Sequence, residues 1–576
     1  MAQKTCKQCQ KEFVIEDEDL AFYKKISPTL DGRVFEMPAP SLCPRCRLIR
    51  RMIWRNERKL YKGECPLCKK EIVTVYSPDK NLKILCRDCF WSDRWDQFES
   101  GFEFDLTDSF SAQFKKLLKS TYLANLYSTN CENSEFVNQE MNSKNCYLCT
   151  GGNDNYECLY CESCIHDTNC IDCYGVGFAE KVDNSVFCTA CFASSYLYNC
   201  HMCHDCLHCD DCVGCDFCFG CKGLRYKKYY FFNESLSKDE YFKKVNEYTG
   251  GPQKLQEAKD KFTEHKLNFP NKYMLTISCS DDCSGDILMN CKNTTKSYYC
   301  YKTENTKYSY ILDSMKDVMD ILSTGTGELC YDCASSSNIY GSCFIDACEK
   351  VRNSYYSFNC TNSHDLFGCV SLNRKSFCIF NKQFSPEEYE KNVAKIIERM
   401  QKNGEWGEFL SIANSPFCYN ESNAAEHFDL NKNKAKQIGS CWQDKDFSMK
   451  YSGPFYSPKP LADYLIDKNP EAEKEIGNCL RGVLKCKISG RPFKIIPQEM
   501  ATYIKQKIEL PTCHPDVRHQ ERLAQFNKME LYRRECMCEE TNHGHQGKCS
   551  NEFETTYSPD RPEKVYCEEC YQKAVI

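Results

Sequence analysis

At 576 residues and a net charge of −6, the chain is long enough for about three to five domains and too weakly charged for its overall field to imply a nucleic-acid partner. It opens without a basic start and apolar h-region, and no run of about 18 apolar residues occurs, so neither export nor a membrane span is expected and the cytoplasm is the expected location. In that reducing compartment its 47 cysteines are expected to bind metal or stay buried as thiols rather than form structural disulfides.

The first hundred residues hold two pairs of knuckles. Cys6-x-x-Cys9 and Cys43-x-x-Cys46 make one predicted zinc module over 1–62, and Cys65-x-x-Cys68 with Cys86-x-x-Cys89, seventeen residues apart, make a zinc ribbon over 63–100. Four thiolates suit a closed, structural tetrahedral Zn²⁺ site, because the metal has no ligand-field preference and no position is left for water; rubredoxin-like iron is the other option. Between Arg45 and Lys62 lie eight basic residues and one acid, Glu57. A helix there would align Arg47, Arg51, Arg55 and Arg58 on one face, a stripe suited to phosphate contacts in a nucleic acid; a solvated face and internal ion pairing are the competing readings, and a protein is the other expected partner of the chain.

From Cys131 to Cys221 all 18 cysteines share one register of three, with Ser134, Val137, Ser143, Gly152, Val176, Ala179 and Val182 among the other register positions. Neither a helix nor a flat strand keeps such a period. A second block, from Cys279 to Cys378, places nine of eleven cysteines in one register, and a 148-residue shift carries Gly220-Cys221, Leu224, Phe232-Asn233 and Ser237 onto Gly368-Cys369, Leu372, Phe380-Asn381 and Ser385. The pattern predicts two duplicated β-solenoid-like repeats, over 120–235 and 271–383, with one residue per side pointing inward. Spacings of twelve and of twenty-one both recur, and polyproline-II segments are the competing geometry. Ser237 and Ser385 precede acidic first turns and predict N-capped helices near 238–265 and 386–410, within connecting regions 236–270 and 384–480. A register position that accepts Val, Ile or Ala is not a metal ligand, so the repeat cysteines read as packing; metal or redox chemistry in the dense run Cys200 to Cys221, where His201, His204 and His208 also lie, is the alternative.

The C-terminal end repeats the beginning. An offset of 480 carries Cys6, Phe13 and Tyr23 onto Cys486, Phe493 and Tyr503, but Cys9 becomes Ser489, and at an offset of 471 Cys43 and Cys46 become His514 and Val517. This copy, over 481–534, is expected to keep the fold and lose the metal. Over 535–576 a last ribbon is expected to use Cys549, Cys567 and Cys570 with Cys536 or Cys538 as fourth ligand, and a ten-residue insertion adds His543 and His545.

Cys6-x-x-Cys9, Phe13, Phe22-Tyr23, Pro40 and Cys43-x-x-Cys46-Arg47 resemble the probable zinc-ribbon, or treble-clef, domain family. Tyr76 to Asp79, Ser415-Pro416-Phe417 with Tyr419-Asn420-Glu421, and Asn551-Glu552-Phe553-Glu554 resemble large cysteine-rich proteins of candidate-phyla-radiation bacteria. A CoA-transferase label carried by some of these is not adopted, since the chain has no Gly-rich nucleotide fingerprint and no alternating strand-helix pattern. The resemblance implies an architecture and no activity. The expectation is a mainly β, multidomain protein: zinc modules at both ends, two cysteine-rich repeats between them and short connecting helices. No nucleophile elbow, P-loop or His-Glu-x-x-His helix is present, so a zinc-binding scaffold or binding protein is expected rather than an enzyme, with a metal-thiolate redox or storage protein as the alternative.

Overall fold

The computed structural model describes all residues except 1, 176, 178–183, 187, 250–251, 323–324, 449 and 576; the register positions Val176, Ala179 and Val182 lie outside the described residues. The chain is mainly β, with thirteen α-helices among the described residues, a large sheet in the middle and cysteine modules at both ends. No helix among the described residues is long and apolar enough to cross a membrane.

The middle of the chain is organised by one number. Lys292 pairs in parallel with Glu304, Glu304 with Lys316, and the series continues through Glu328, Tyr340, Arg352 and His364 to Ser376, always twelve residues on. These pairs belong to a twelve-stranded sheet running from Thr276–Ile277 to Lys382–Gln383. The earlier block obeys the same rule through isolated parallel bridges: Glu132 to Lys144 to Tyr156 to Thr168, and Tyr174 to Val186 to Tyr198 to Asp210 to Lys222.

Backbone geometry explains the period. Among the described residues, the one before nearly every register position sits in the left-handed region, as at Asn142 (φ 51), Asn145 (φ 55), Asp154 (φ 56) and Asn169 (φ 57). Two extended residues followed by one left-handed residue turn the chain a corner, and four such sides of three residues return it one strand spacing further along. Left-handed backbone is unfavourable for most L-residues, which is why Asn, Asp and Gly recur at corners. Asparagines also stack from corner to corner: Asn133 Nδ2 donates to Asn145 Oδ1 at 3.2 Å, and Asn293 Nδ2 to Asn305 Oδ1 at 3.0 Å.

Register side chains fill two interior clusters. One is built almost wholly of cysteine, from Cys146 to Cys221; the other mixes Cys291, Cys300, Cys330 and Cys333 with Leu312, Val318 and Ile321. The thiols do more than fill space. Cys206 Sγ lies 3.4 Å from the His204 carbonyl and 3.3 Å from that of Cys215, while Ser194 Oγ, in the same register, donates to the Phe192 carbonyl at 2.8 Å and accepts from Cys206 N at 3.1 Å. Cysteine, serine and threonine are therefore interchangeable here as small buried side chains that satisfy a carbonyl two residues back.

Both stacks are closed at their ends. Each begins by parallel pairing to a cysteine module: Lys83–Leu85 to Tyr122–Ala124, and Val565–Tyr566 to Asn271–Lys272. Each finishes in an antiparallel turn, Lys228–Phe231 with Glu234–Ser235 and Ser376–Ile379 with Lys382–Gln383, followed by helices capped at Ser237 and Ser385. The two capping boxes are complete: Ser237 Oγ accepts from Glu240 N at 3.4 Å and Ser385 Oγ from Glu388 N at 3.2 Å.

Candidate metal centres and the arginine seam

Three groups of four cysteines bring all their sulfurs within 4.8 Å of one another: Cys6, Cys9, Cys43 and Cys46; Cys65, Cys68, Cys86 and Cys89; and Cys536, Cys549, Cys567 and Cys570. The local chain explains each. A two-stranded hairpin, Ala2–Thr5 with Glu12–Ile15, carries the first knuckle, and Gln10 at φ 61 turns it; Tyr61–Glu64 with Glu71–Thr74 and Lys69 at φ 62 repeat the device. The third ligand of each group is a helix N-cap, Cys43, Cys86 or Cys567, and the fourth, Cys46, Cys89 or Cys570, lies in the first turn of that helix. Sulfurs are thus placed at the positive ends of helices.

The spacing fits a metal. With Zn–S bonds of about 2.3 Å, neighbouring sulfurs of a tetrahedron stand about 3.8 Å apart. Cys9 and Cys43 are 3.7 Å apart and Cys68 and Cys86 are 3.6 Å apart. The Cys46 thiol donates to Cys43 and, against burial, brings the Cys43 thiol down to about 5. Burial pushes Cys65 up, yet backbone N–H groups of Cys86, Cys68 and Leu67 aimed at its sulfur outweigh it and lower the thiol to about 6. Of the two candidates for the last ribbon's fourth ligand, Cys536 joins the group; Cys538 stands apart, beside His543 and Cys570.

No protein-family model matches the chain. No curated protein matches it either. Among solved structures, one described as an acetyltransferase from Desulfovibrio desulfuricans G20 aligns at 8% identity over 48% of this chain and 81% of that one, with a TM-score of 0.10, which carries no argument about fold or activity. The three cysteine groups fit zinc-ribbon-like modules at both ends on their own geometry.

The arginine stripe has a different setting from the one its sequence suggests. The helix Pro44–Ile53 lies across the strands Met315–Leu322 and Gly327–Ala334, and Arg47, Arg51 and Arg55 are buried. Arg47 Nη2 meets Asp320 at 2.8 Å; Arg51 meets Asp320 at 3.2 Å and Asp332 at 2.6 Å; Arg50 meets Asp332 at 2.6 Å and Glu408 at 2.7 Å. Arg55 pairs with Glu57 at 2.5 Å, and Arg58, 9% exposed, lies 3.9 Å from Glu162 and 3.8 Å from Asp516. The face expected to meet phosphates is instead covered by carboxylates of the same chain. Asp320 and Asp332 are left-handed corners of successive turns, one register step of twelve apart, which sets them at the spacing a helix face can span.

At 481–534 a similar seam occurs without a four-cysteine group among the described residues. Arg518 meets Asp172 at 2.7 Å and Arg522 meets it at 3.0 Å, and the helix Pro515–Leu523 is capped by His514, whose Nδ1 accepts from Asp516 N at 3.0 Å. Cys486 Sγ accepts from Ser489 N at 3.4 Å, and none of Cys486, Cys513 or His514 joins a metal-sized donor group among the described residues.

Two sites escaped sequence reasoning. Cys418 and Cys441 form a disulfide, contrary to the expectation of thiols throughout, and Lys80 Nζ lies 2.9 and 3.1 Å from their sulfurs. Nothing in their spacing signals it. A donor group of Glu162, Glu426 and His519 also gathers beside Arg58; its members are too far apart in sequence to be grouped by spacing.

Proposed function

We propose that the chain is a zinc-binding, non-catalytic scaffold of the cytoplasm, in which two β-solenoids related by duplication are clamped together by zinc-ribbon units at the two ends. The observation that carries the reading is the set of three four-cysteine groups with all sulfurs within 4.8 Å of one another, two of them with a pair at tetrahedral spacing. Constant twelve-residue pairing supports the solenoids. Matching pairings at matching offsets support the duplication: Ile84 pairs with Leu123 and Val565 with Asn271, positions related by 481 and 148. Thiols at every cysteine but Cys418 and Cys441 suit a reducing compartment.

The alternative, a metal-thiolate redox or storage protein, needs clustered sulfurs in the repeats. Among the described residues no three register cysteines form a metal-sized group, and their thiols point at backbone carbonyls. A nucleic-acid partner draws no support from Arg47, Arg51, Arg55 and Arg58, which have carboxylate partners within the chain.

Elemental analysis of protein purified without oxygen tests the proposal. Zinc is expected, and Cys65→Ser should remove one equivalent and loosen its module, since binding energy in such ribbons is folding energy. Cys206→Ser should leave the content unchanged. Brown protein with iron and labile sulfide that are lost in Cys206→Ser would replace the scaffold reading with the redox one.

A further inference from the structure

The C-terminal module carries a second set of donors beside its four cysteines, and we propose that they form a second zinc site joined to the first through a bridging Cys570. This rests on the reading of Cys536, Cys549, Cys567 and Cys570 as a zinc site. Cys538 Sγ, His543 Nδ1 and Cys570 Sγ lie within 4.8 Å of one another, and all three residues are buried. Cys538 Sγ is 3.2 Å from His543 Nδ1.

His545 stands beside Cys570 at the edge of this group and is the candidate for the fourth donor. Its Nε2 is 3.4 Å from Cys570 Sγ, while its Nδ1 is 2.8 Å from the Gly547 carbonyl. A carbonyl only accepts, so Nδ1 holds the ring proton and the lone pair of Nε2 faces the sulfur, the outer-shell arrangement that readies an imidazole for a metal. In a tetrahedral site with Zn–S of about 2.3 Å and Zn–N of about 2.0 Å, adjacent sulfur and nitrogen stand about 3.5 Å apart. Both measured separations are close to that. Gly544, at φ 92 between the two histidines, turns the loop back onto the helix Glu568–Ala574, and Lys573 Nζ pins it there by donating to the His543 carbonyl at 2.6 Å.

Bridging also balances charge. A lone four-thiolate zinc carries two negative charges, whereas two Zn²⁺ ions on five thiolates and two neutral histidines carry one, so a second ion lowers the net charge of a module in which Cys538 is fully buried. The first ribbon provides the contrast. It lacks the ten-residue insertion bearing Cys538, His543 and His545, and its counterpart of Cys570, Cys89, is met instead by a guanidinium, Arg94 Nη2, at 3.1 Å.

The test uses the full chain, purified anaerobically, unaltered and as the double variant His543→Ala/His545→Ala. The double variant should hold one zinc fewer, with the remaining three matching the four-cysteine groups. Equal zinc in both proteins, at three per chain, overturns the second site and leaves the four-cysteine reading standing; no zinc in either overturns both. A measurement free of variants guards against misfolding. Loaded with Co²⁺, the unaltered chain should bind four ions, two of them spin-coupled through the shared sulfur and silent in EPR. Three ions, all EPR-active, would sink the bridge.

Discussion

Asp172 and Asp320, 148 positions apart, each receive two arginines one helical turn apart: Arg518 and Arg522 reach Asp172 at 2.7 and 3.0 Å, and Arg47 and Arg51 reach Asp320 at 2.8 and 3.2 Å. Beneath each pair lies a tyrosine, Tyr160 under Arg518 at 4.7 Å and Tyr308 under Arg47 at 5.2 Å. Each seam also holds a second carboxylate, Glu499 lying 3.8 Å from Arg518. Asp332 gives Arg51 a second carboxylate, but 148 positions earlier stands Asn184. Removing one partner of a buried ion pair strands the other charge, at a cost of about 3–5 kcal/mol. Asp172→Ala strands Arg522 and Asp320→Ala strands Arg47, so each is expected to lower stability by about that much in urea unfolding followed by circular dichroism. A loss below about 1 kcal/mol in both, the range of exposed pairs, would place the seams in water.

The same burial makes a prediction about nucleic acid. A protein that gives up one phosphate neighbour should show a salt dependence of binding flatter by about one counterion. Arg47, Arg51 and Arg55 are covered, so replacing them with Ala is expected to leave the salt slope of any RNA or DNA affinity unchanged in fluorescence anisotropy. A flatter slope would return the stripe to the surface.

Inside the repeats, Cys212 Sγ lies 3.5 Å from the Asp210 carbonyl and 3.6 Å from that of Cys221. Serine can make the first of these bonds, as Ser194 does, so Cys212→Ser should cost about 1 kcal/mol or less, a single hydrogen bond's worth either way. Cys212→Leu adds volume where neighbours are stacked on both sides and should cost about 1–3 kcal/mol. Thermal melts of the two variants check the order; a serine variant worse than leucine would contradict a packing role.

Asp346 ties stability to pH. Burial pushes its carboxyl up to about 8, against the pull of Arg55, while an unfolded aspartate titrates near about 3.9. Between those values the folded chain holds a proton that the unfolded chain has released, so this group's contribution falls as pH rises through the window and is fully lost above about 8. Asp346→Asn should remove that slope: relative to the unaltered protein, its melting temperature should improve from pH 5 to pH 8.5. A constant difference across that range would show that Asp346 is ionised in the fold throughout.

The four-cysteine groups were readable because their geometry is local: Cys43-x-x-Cys46 needs only a helix start to bring two sulfurs together. Even there spacing could not choose between Cys536 and Cys538, since the insertion separating them from Cys549 has no period. The register of three was equally plain, but a period of three fits any number of sides, so twelve and twenty-one competed. The Asn, Asp and Gly one residue earlier, at Asn142, Asn145, Gly151 and Asp154, mark the corners at the same period of three and so do not count the sides either. Arg51 was readable as a charge but not as a partner of Asp320, because the two are 269 positions apart and nothing in either neighbourhood names the other.

That separation also sets an order of events during synthesis. Each turn of a stack pairs with one twelve residues back, so the repeats can form as they leave the ribosome. The helix Pro44–Ile53 cannot dock in step with them. At about 5–20 residues per second, the 269 residues between Arg51 and Asp320 take on the order of tens of seconds to appear, and through that interval Arg47, Arg50 and Arg51 have no carboxylates to meet. The helix Pro515–Leu523 meets the opposite circumstance, since Asp172 is already in place when Arg518 and Arg522 arrive. The helix Pro44–Ile53 therefore waits unpaired until the strands bearing Asp320 and Asp332 have been made, whereas Pro515–Leu523 can dock as soon as it emerges.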